Sequence, residues 1–185
     1  HSSYPVGAPQ EELALWKAFM AQSGSRDEAI QAVLERSNQL HDPRYMGHQV
    51  AVPFPQEAML GALTDLLNNG QAIYEMGPTN ATLEHVLMNE VGQALGLPEG
   101  CEGVLCHGGT LGNLVALLAA QRKLGLQLDQ DPWSKGIREA DPFVVLVSEQ
   151  AHYCVDRGVR IMGWGPDALV MVKTDANHRM DVVDL

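Results

Sequence analysis

An α/β fold with a parallel-type sheet, preceded by an N-terminal helical arm, is what the order of apolar segments predicts. Three observations carry that expectation. The first 40 residues show only helical spacing, short apolar runs alternate with helical stretches from Gly103 to Lys173, and glycine or proline marks the joints. Strand, helix and strand in that order is the pattern of parallel strands joined by right-handed crossovers.

Taken in order, Leu13, Trp16 and Met20 fall on one side of a first helix, and Ile30, Val33 and Leu34 on one side of a second. Ser25 and Glu28 have the spacing of a capping box for that second helix. Residues 42–55, DPRYMGHQVAVPFP, contain three prolines and one glycine, so they read as irregular backbone ending where Pro55 and Gln56 open another helix. From Asn80, a residue type suited to an N-cap, Leu83, Val86, Leu87, Val91 and Ala94 keep helical spacing until Gly96 and Pro98 stop it. An apolar run from Gly103 to His107 predicts a strand, and a helix follows over about Leu111 to Leu124. Phe143 to Val147 predicts a second strand, His152 to Met162 a helix, and Leu169 to Lys173 a third strand. Residues 125–142, with Asp129, Asp131 and Pro132, predict a surface excursion. The change of rhythm divides the chain into a helical arm with its loop, 1–78, and an α/β portion, 79–185.

The 185 residues fit one ordinary domain, and 45% hydrophobic against 19% charged residues supply material for a core. Twelve basic and 23 acidic residues leave a formal charge of −11, which repels phosphate backbones and anionic lipids, so nucleic acid and membrane partners are not expected. No run approaches the roughly 20 apolar residues that span a bilayer, and the start lacks a signal-like pattern, so a cytoplasmic location is expected. Cys101, Cys106 and Cys154 are odd in number and lack zinc spacing, which predicts reduced thiols. The histidines show no HxxxH or HxH spacing, so no metal site is expected. A chain that begins at His1 instead of Met is expected to have its natural start elsewhere.

Three constellations could carry chemistry. In CHGGTLGNL, residues 106–114, an apolar run enters Gly108 and Gly109 and a helix begins near Thr110. Close backbone approach, free N–H groups at a helix start and the Thr110 hydroxyl suit a phosphate, although glycine also serves such turns for geometry alone. The spacing is neither Walker A nor GxGxxG. In SEQAHYCVDRG, residues 148–158, His152 stands just past a predicted strand end, where ligands of open parallel sheets bind, so both motifs should face one crevice. Its imidazole could stack on a flat ring or exchange a proton, or could serve simply as a helix-start cap. The third is the loop with Arg44, His48 and Gln49, together with YEMGP at 74–78, which reads equally as substrate-binding segment or surface loop.

In order along the chain, DPRYMG, YEMGP with the following TLEHVLMNEVGQALGLP, GGTLGNLVALLAAQRK and SEQAHYCVDRGVRIMG resemble the group II pyridoxal-phosphate-dependent amino-acid decarboxylases, which include glutamate, aromatic amino acid and diaminobutyrate enzymes. The resemblance implies the PLP-dependent transferase-like architecture, fold type I, with pyridoxal 5′-phosphate as cofactor, an amino acid as substrate and a homodimeric assembly. It implies that Gly109 and Thr110 hold the cofactor phosphate, and that His152 stacks on the pyridine face and helps place the substrate carboxylate. His48 and Gln49 fall on the substrate side, and Arg44 with His48 would favour an acidic side chain. The resemblance also implies an Asp-x-Ala aspartate and a Schiff-base lysine further along. Lys17, Lys123, Lys135 and Lys173 lack the family's His-Lys context, and Asp175, Asp181 and Asp184 do not fit Asp-x-Ala. The chain is therefore expected to be the first part of the large domain with its arm, incomplete and inactive by itself. Two other readings keep their place: another fold type I enzyme, such as a sphingoid-phosphate lyase or an aminotransferase, and a non-catalytic binding or dimerisation module.

Overall fold

A computed structural model describes residues 8–22, 24–47 and 50–185. They form two compact units, residues 1–77 and 78–185. The first unit holds α1 (Pro9–Ala21), α2 (Arg26–Arg36) and α3 (Pro55–Leu67). Pro9 and Pro55 open their helices, where the fixed φ fits and the missing N–H costs nothing. The expected capping box closes α2: Ser25 N–H donates to Glu28 Oε2 at 2.7 Å, and Glu28 N–H donates to Ser25 Oγ at 3.3 Å. Arg36 joins α2 to α1 through Glu12, with Nε donating to Oε2 at 3.1 Å. None of these three helices buries a residue.

The second unit begins with α4 (Pro78–Ala94). It starts two residues before the expected cap Asn80, because Pro78 is preorganised for the first helical turn and takes Asn80 inside. Its end is a Schellman motif: Leu97 N–H donates to Gly92 O at 2.9 Å and Gly96 N–H to Gln93 O at 3.0 Å, with Gly96 left-handed at φ 72°. The strand expected from Gly103 to His107 does not form. That run lies outside the sheet among the described residues, and Leu105 N–H donates instead to the Glu84 carboxylate at 2.8 Å. Apolar residues in extended backbone become a strand only where a neighbour supplies the ladder.

Beyond it lie α5 (Gly109–Gln127), α6 (Pro132–Lys135), β1 (Val145–Ser148), α7 (Cys154–Ile161) and β2 (Leu169–Val172). The expected excursion carries α6 and is partly tucked in, since Asp131 and Pro132 are buried. Asp131 caps α6 by accepting Trp133 N–H at 3.1 Å and Ser134 Oγ–H at 2.8 Å. α7 starts two residues later than expected, which leaves His152 in the turn before it. β1 and β2 are parallel and adjacent, with Val145 opposite Leu169 and Ser148 opposite Val172, so β1-α7-β2 is the anticipated crossover unit with two strands in place of three. Neighbours on this framework share one small core: Cys154, Val159, Ala168 and Val172 are buried, the two valines at 1% and 2% exposure. Among the described residues no helix is long and apolar enough to cross a membrane.

The packing of α7 on α5 depends on Gly158. A Cβ there would lie 3.1 Å from Leu117 Cδ1 and 3.8 Å from Leu114 Cδ1. A branched side chain there crowds the Leu117 and Leu114 methyl groups, which must shift to admit it. Gly158→Val is therefore expected to lower unfolding free energy by about 1–3 kcal/mol, the usual cost of overpacking, in chemical denaturation. An unchanged denaturation midpoint would show that this contact does not hold the helices together.

Candidate functional site

The turn into α5 is built by glycine. Gly108 takes φ 94° and ψ 154°, outside the region that other residues adopt readily, and serves as N-cap without any side-chain cap. A Cβ placed on Gly108 or Gly109 meets nothing within 4 Å, so the space in front of the helix is open. Gly112 N–H closes the first turn on Gly108 O at 3.2 Å. The N–H groups of Gly109, Thr110 and Leu111 precede that bond and have no acceptor within the helix. No acidic residue stands in the first turn. Three free donors, the positive end of the helix dipole and the Thr110 hydroxyl give this turn the chemistry of an anion site.

His152 follows the carboxyl end of β1. Ala151 N–H donates to Ser148 O at 2.9 Å and Gln150 N–H to Ser148 Oγ at 3.2 Å, which bends the chain toward α7. The exposed imidazole lies against Tyr153, ring centroids 4.1 Å apart, and the guanidinium of Arg157 sits 4.8 Å over that tyrosine. His152 Nδ1 accepts the Cys154 N–H at 3.2 Å. The Cys154 thiol in turn accepts Asn113 Nδ2–H from α5 at 3.1 Å. Asn113 thus ties the glycine turn to the histidine turn. Sequence reasoning quoted Asn113 within its motif and assigned it no role; the signal was an asparagine in a helix interior, where its side chain disfavours the helix. A cleft of about 90 Å³ includes His152, Tyr153, Val147 and Met171 but neither Gly109 nor Thr110. The two motifs share a framework more than a single enclosed pocket.

The strand ends are clasped by a carboxylate. Glu149 N–H donates to Val172 O at 2.9 Å, and Glu149 Oε1 accepts Thr174 N–H at 2.9 Å and Thr174 Oγ1–H at 2.6 Å. These bonds, led by the threonine hydroxyl, hold the Glu149 carboxyl below its ordinary range. Asp175 is consumed by a tight turn, accepting N–H groups from Asn177 and Arg179 and pairing with the Arg179 guanidinium at 2.9 Å. Lys173 pairs with Asp184 at 3.4 Å and Lys135 with Asp129 at 3.5 Å. In the first unit Arg44 is engaged by Asp42, donating from Nη2 at 2.6 Å and Nε at 3.0 Å, and that guanidinium holds the Asp42 carboxyl far below its usual range. Its charge is thereby matched inside the loop. His48 and Gln49 lie outside the described residues. All three cysteines are free, and among the described residues no group of three His, Cys, Asp or Glu side chains is placed to hold a metal.

Known proteins resemble this chain in sequence and fold. The profile of the pyridoxal-dependent decarboxylase conserved domain matches residues 31–185. Mouse cysteine sulfinic acid decarboxylase is 27% identical over 170 residues, spanning 90% of this chain and 34% of its own length. The L-2,4-diaminobutyrate decarboxylase of Acinetobacter baumannii is 29% identical over 175 residues, again 90% and 34%. The crystal structure of mouse CSAD superposes with a TM-score of 0.83 at 25% identity, over 98% of this chain and 38% of that one. A glutamate decarboxylase domain from Vibrio parahaemolyticus gives 0.83 at 22% identity, over 99% and 42%. The chain spans about a third of the length of the curated relatives it matches.

The Glu149 clasp has a definite pH dependence. A carboxyl depressed in the folded state stabilises the fold above its ordinary value of 4.5 and loses that contribution as pH falls through the folded value. Glu149→Gln should lower the melting temperature at pH 7, and the gap to the parent protein should narrow as the solution is taken below pH 4.5. A gap that stays constant over that range would remove the charged clasp from the account.

Proposed function

The chain belongs to the pyridoxal-dependent decarboxylase family, and from that premise we propose that it supplies the phosphate-side and ring-face contacts of a pyridoxal 5′-phosphate site at which an amino acid loses carbon dioxide. The observation that carries this reading is the Asn113–Cys154 hydrogen bond, which links α5, whose start suits an anion, to the segment that carries His152. The cofactor, when bound, supplies a conjugated ring that accepts the electrons released as the carboxylate departs.

The residues present fit that group. The open space before Gly108 and Gly109, the uncapped donors and the absence of a nearby carboxylate in the first turn suit a phosphate dianion. Gly109 and Thr110 bind it through backbone N–H groups and the Thr110 hydroxyl. His152 would orient: it is exposed past a strand end, where ligands of parallel sheets bind, and the family resemblance implies that its ring would stack on the cofactor and help place the substrate carboxylate. His48 and Gln49 belong to the substrate side on sequence position alone. A cytoplasmic homodimer is part of the same reading. The support for the dimer is the apolar surface that the arm carries, with Met20 and Leu34 at 79% and 68% exposure.

Titration of the full-length protein with pyridoxal 5′-phosphate and with pyridoxal separates these roles. Thr110→Ala removes one hydrogen bond to a charged group, about 1.5–3 kcal/mol, so affinity for the phosphorylated form should fall about 10- to 100-fold while that for pyridoxal stays unchanged. Equal losses for both ligands would detach Thr110 from the phosphate. Carbon dioxide release across a panel of amino acids tests the reaction: cofactor binding without release from any of them rejects decarboxylation.

A further inference from the structure

We infer that Asn113 and Cys154 are positioning residues for His152, the Asn113 amide holding the Cys154 thiol and the Cys154 backbone N–H holding His152 Nδ1, so that the ring meets the cofactor face with its proton on Nε2. The inference rests on the proposed cofactor-face role of His152 and adds the device that sets the ring.

The chemistry of the bonds fixes the tautomer. A backbone N–H only donates, so Nδ1, 3.2 Å from Cys154 N, uses its lone pair and the neutral ring carries its hydrogen on Nε2. The nitrogen left for a ligand is a donor, which suits a carboxylate. The position of the Cys154 N–H is set by its own side chain. Cys154 is 3% exposed, and its thiol receives the Asn113 amide at 3.1 Å. Among the described residues this is the one side-chain hydrogen bond from α5 to the segment 152–154. Asn113 lies one turn beyond Gly109, so the helix that offers phosphate donors also sets the ring. A leucine or alanine would serve the helix better than asparagine there, and the polar contact is the offsetting gain.

Sulfur is a weak acceptor, and a serine hydroxyl can take its place. Cys154→Ser should preserve the arrangement, whereas Asn113→Ala and Cys154→Ala should release it. The test uses full-length protein labelled with ¹⁵N-histidine and free of cofactor, with His152 assigned by the resonances lost in His152→Gln. In the parent and in Cys154→Ser the Nδ1 resonance should be that of an unprotonated nitrogen. In Asn113→Ala it should move toward the protonated position, with an unchanged melting curve excluding a general folding defect. After cofactor addition, Asn113→Ala should lose roughly tenfold or more in kcat through ring misplacement while keeping the parent's cofactor affinity, the reverse of Thr110→Ala. A protonated Nδ1 in the parent, or an Nδ1 resonance unmoved in a folded Asn113→Ala, overturns the inference. Failure of the parent to bind cofactor would overturn the proposed function and with it the cofactor-face role, while the tautomer and its dependence on Asn113 are read without cofactor and stand or fall separately.

Discussion

The contact of α7 with α5 is the constraint on which the second unit depends. Its buried apolar residues, Cys154, Val159, Ala168 and Val172, all belong to α7, β2 or the turn between them, and α5 closes over them where Gly158 leaves room for Leu114 and Leu117. Burying a valine side chain contributes roughly 1.5–3 kcal/mol, so Val159 and Val172 carry much of the local order. Both motifs rest on this seam. The glycine turn is the start of α5 and the histidine turn leads into α7, so a shift of one helix against the other moves the two turns apart.

A two-stranded sheet is marginal without such support. Here β1 and β2 are held by their ladder, by α7 crossing between them, and by Glu149 reaching Thr174 beyond the strand ends. The carboxylate does at the edge what further strands do in a wider sheet: it satisfies backbone donors and fixes the spacing of the strand ends. Leu146 and Val170 remain half exposed on the same two strands. That surface gains stability when another layer covers it.

Net charge and local charge point in opposite directions. The chain carries −11 overall, yet the first turn of α5 has no acidic residue and presents only donors. Elsewhere several carboxylates are committed: Asp42 to Arg44, Asp175 to its turn and Arg179, Asp184 to Lys173, Glu149 to Thr174. An anion approaching α5 therefore meets fixed dipoles near its binding atoms, while the acidic surface acts at longer range and is screened by salt.

Helix positions, the α2 capping box, the stop at Gly96, the β1-α7-β2 crossover and the glycine turn into α5 were legible in the sequence, because each is encoded within a few residues by periodicity, proline, glycine or a capping pair. Pro78 shows the limit of such local reading: it competed with Asn80 two residues away, and its ring geometry won. Other features had no local signature. Whether Gly103–His107 becomes a strand depends on a ladder partner, whether Asp131 is buried depends on the fold-back against Gly125, and the charge of Arg44 is spent on Asp42 through a loop conformation. The link from Asn113 through Cys154 to His152 spans 41 residues at its longest step. Sequence determined which groups are present at the two turns. Only tertiary structure decided that they are linked by a hydrogen bond, because a bond between distant segments is set by how their helices pack.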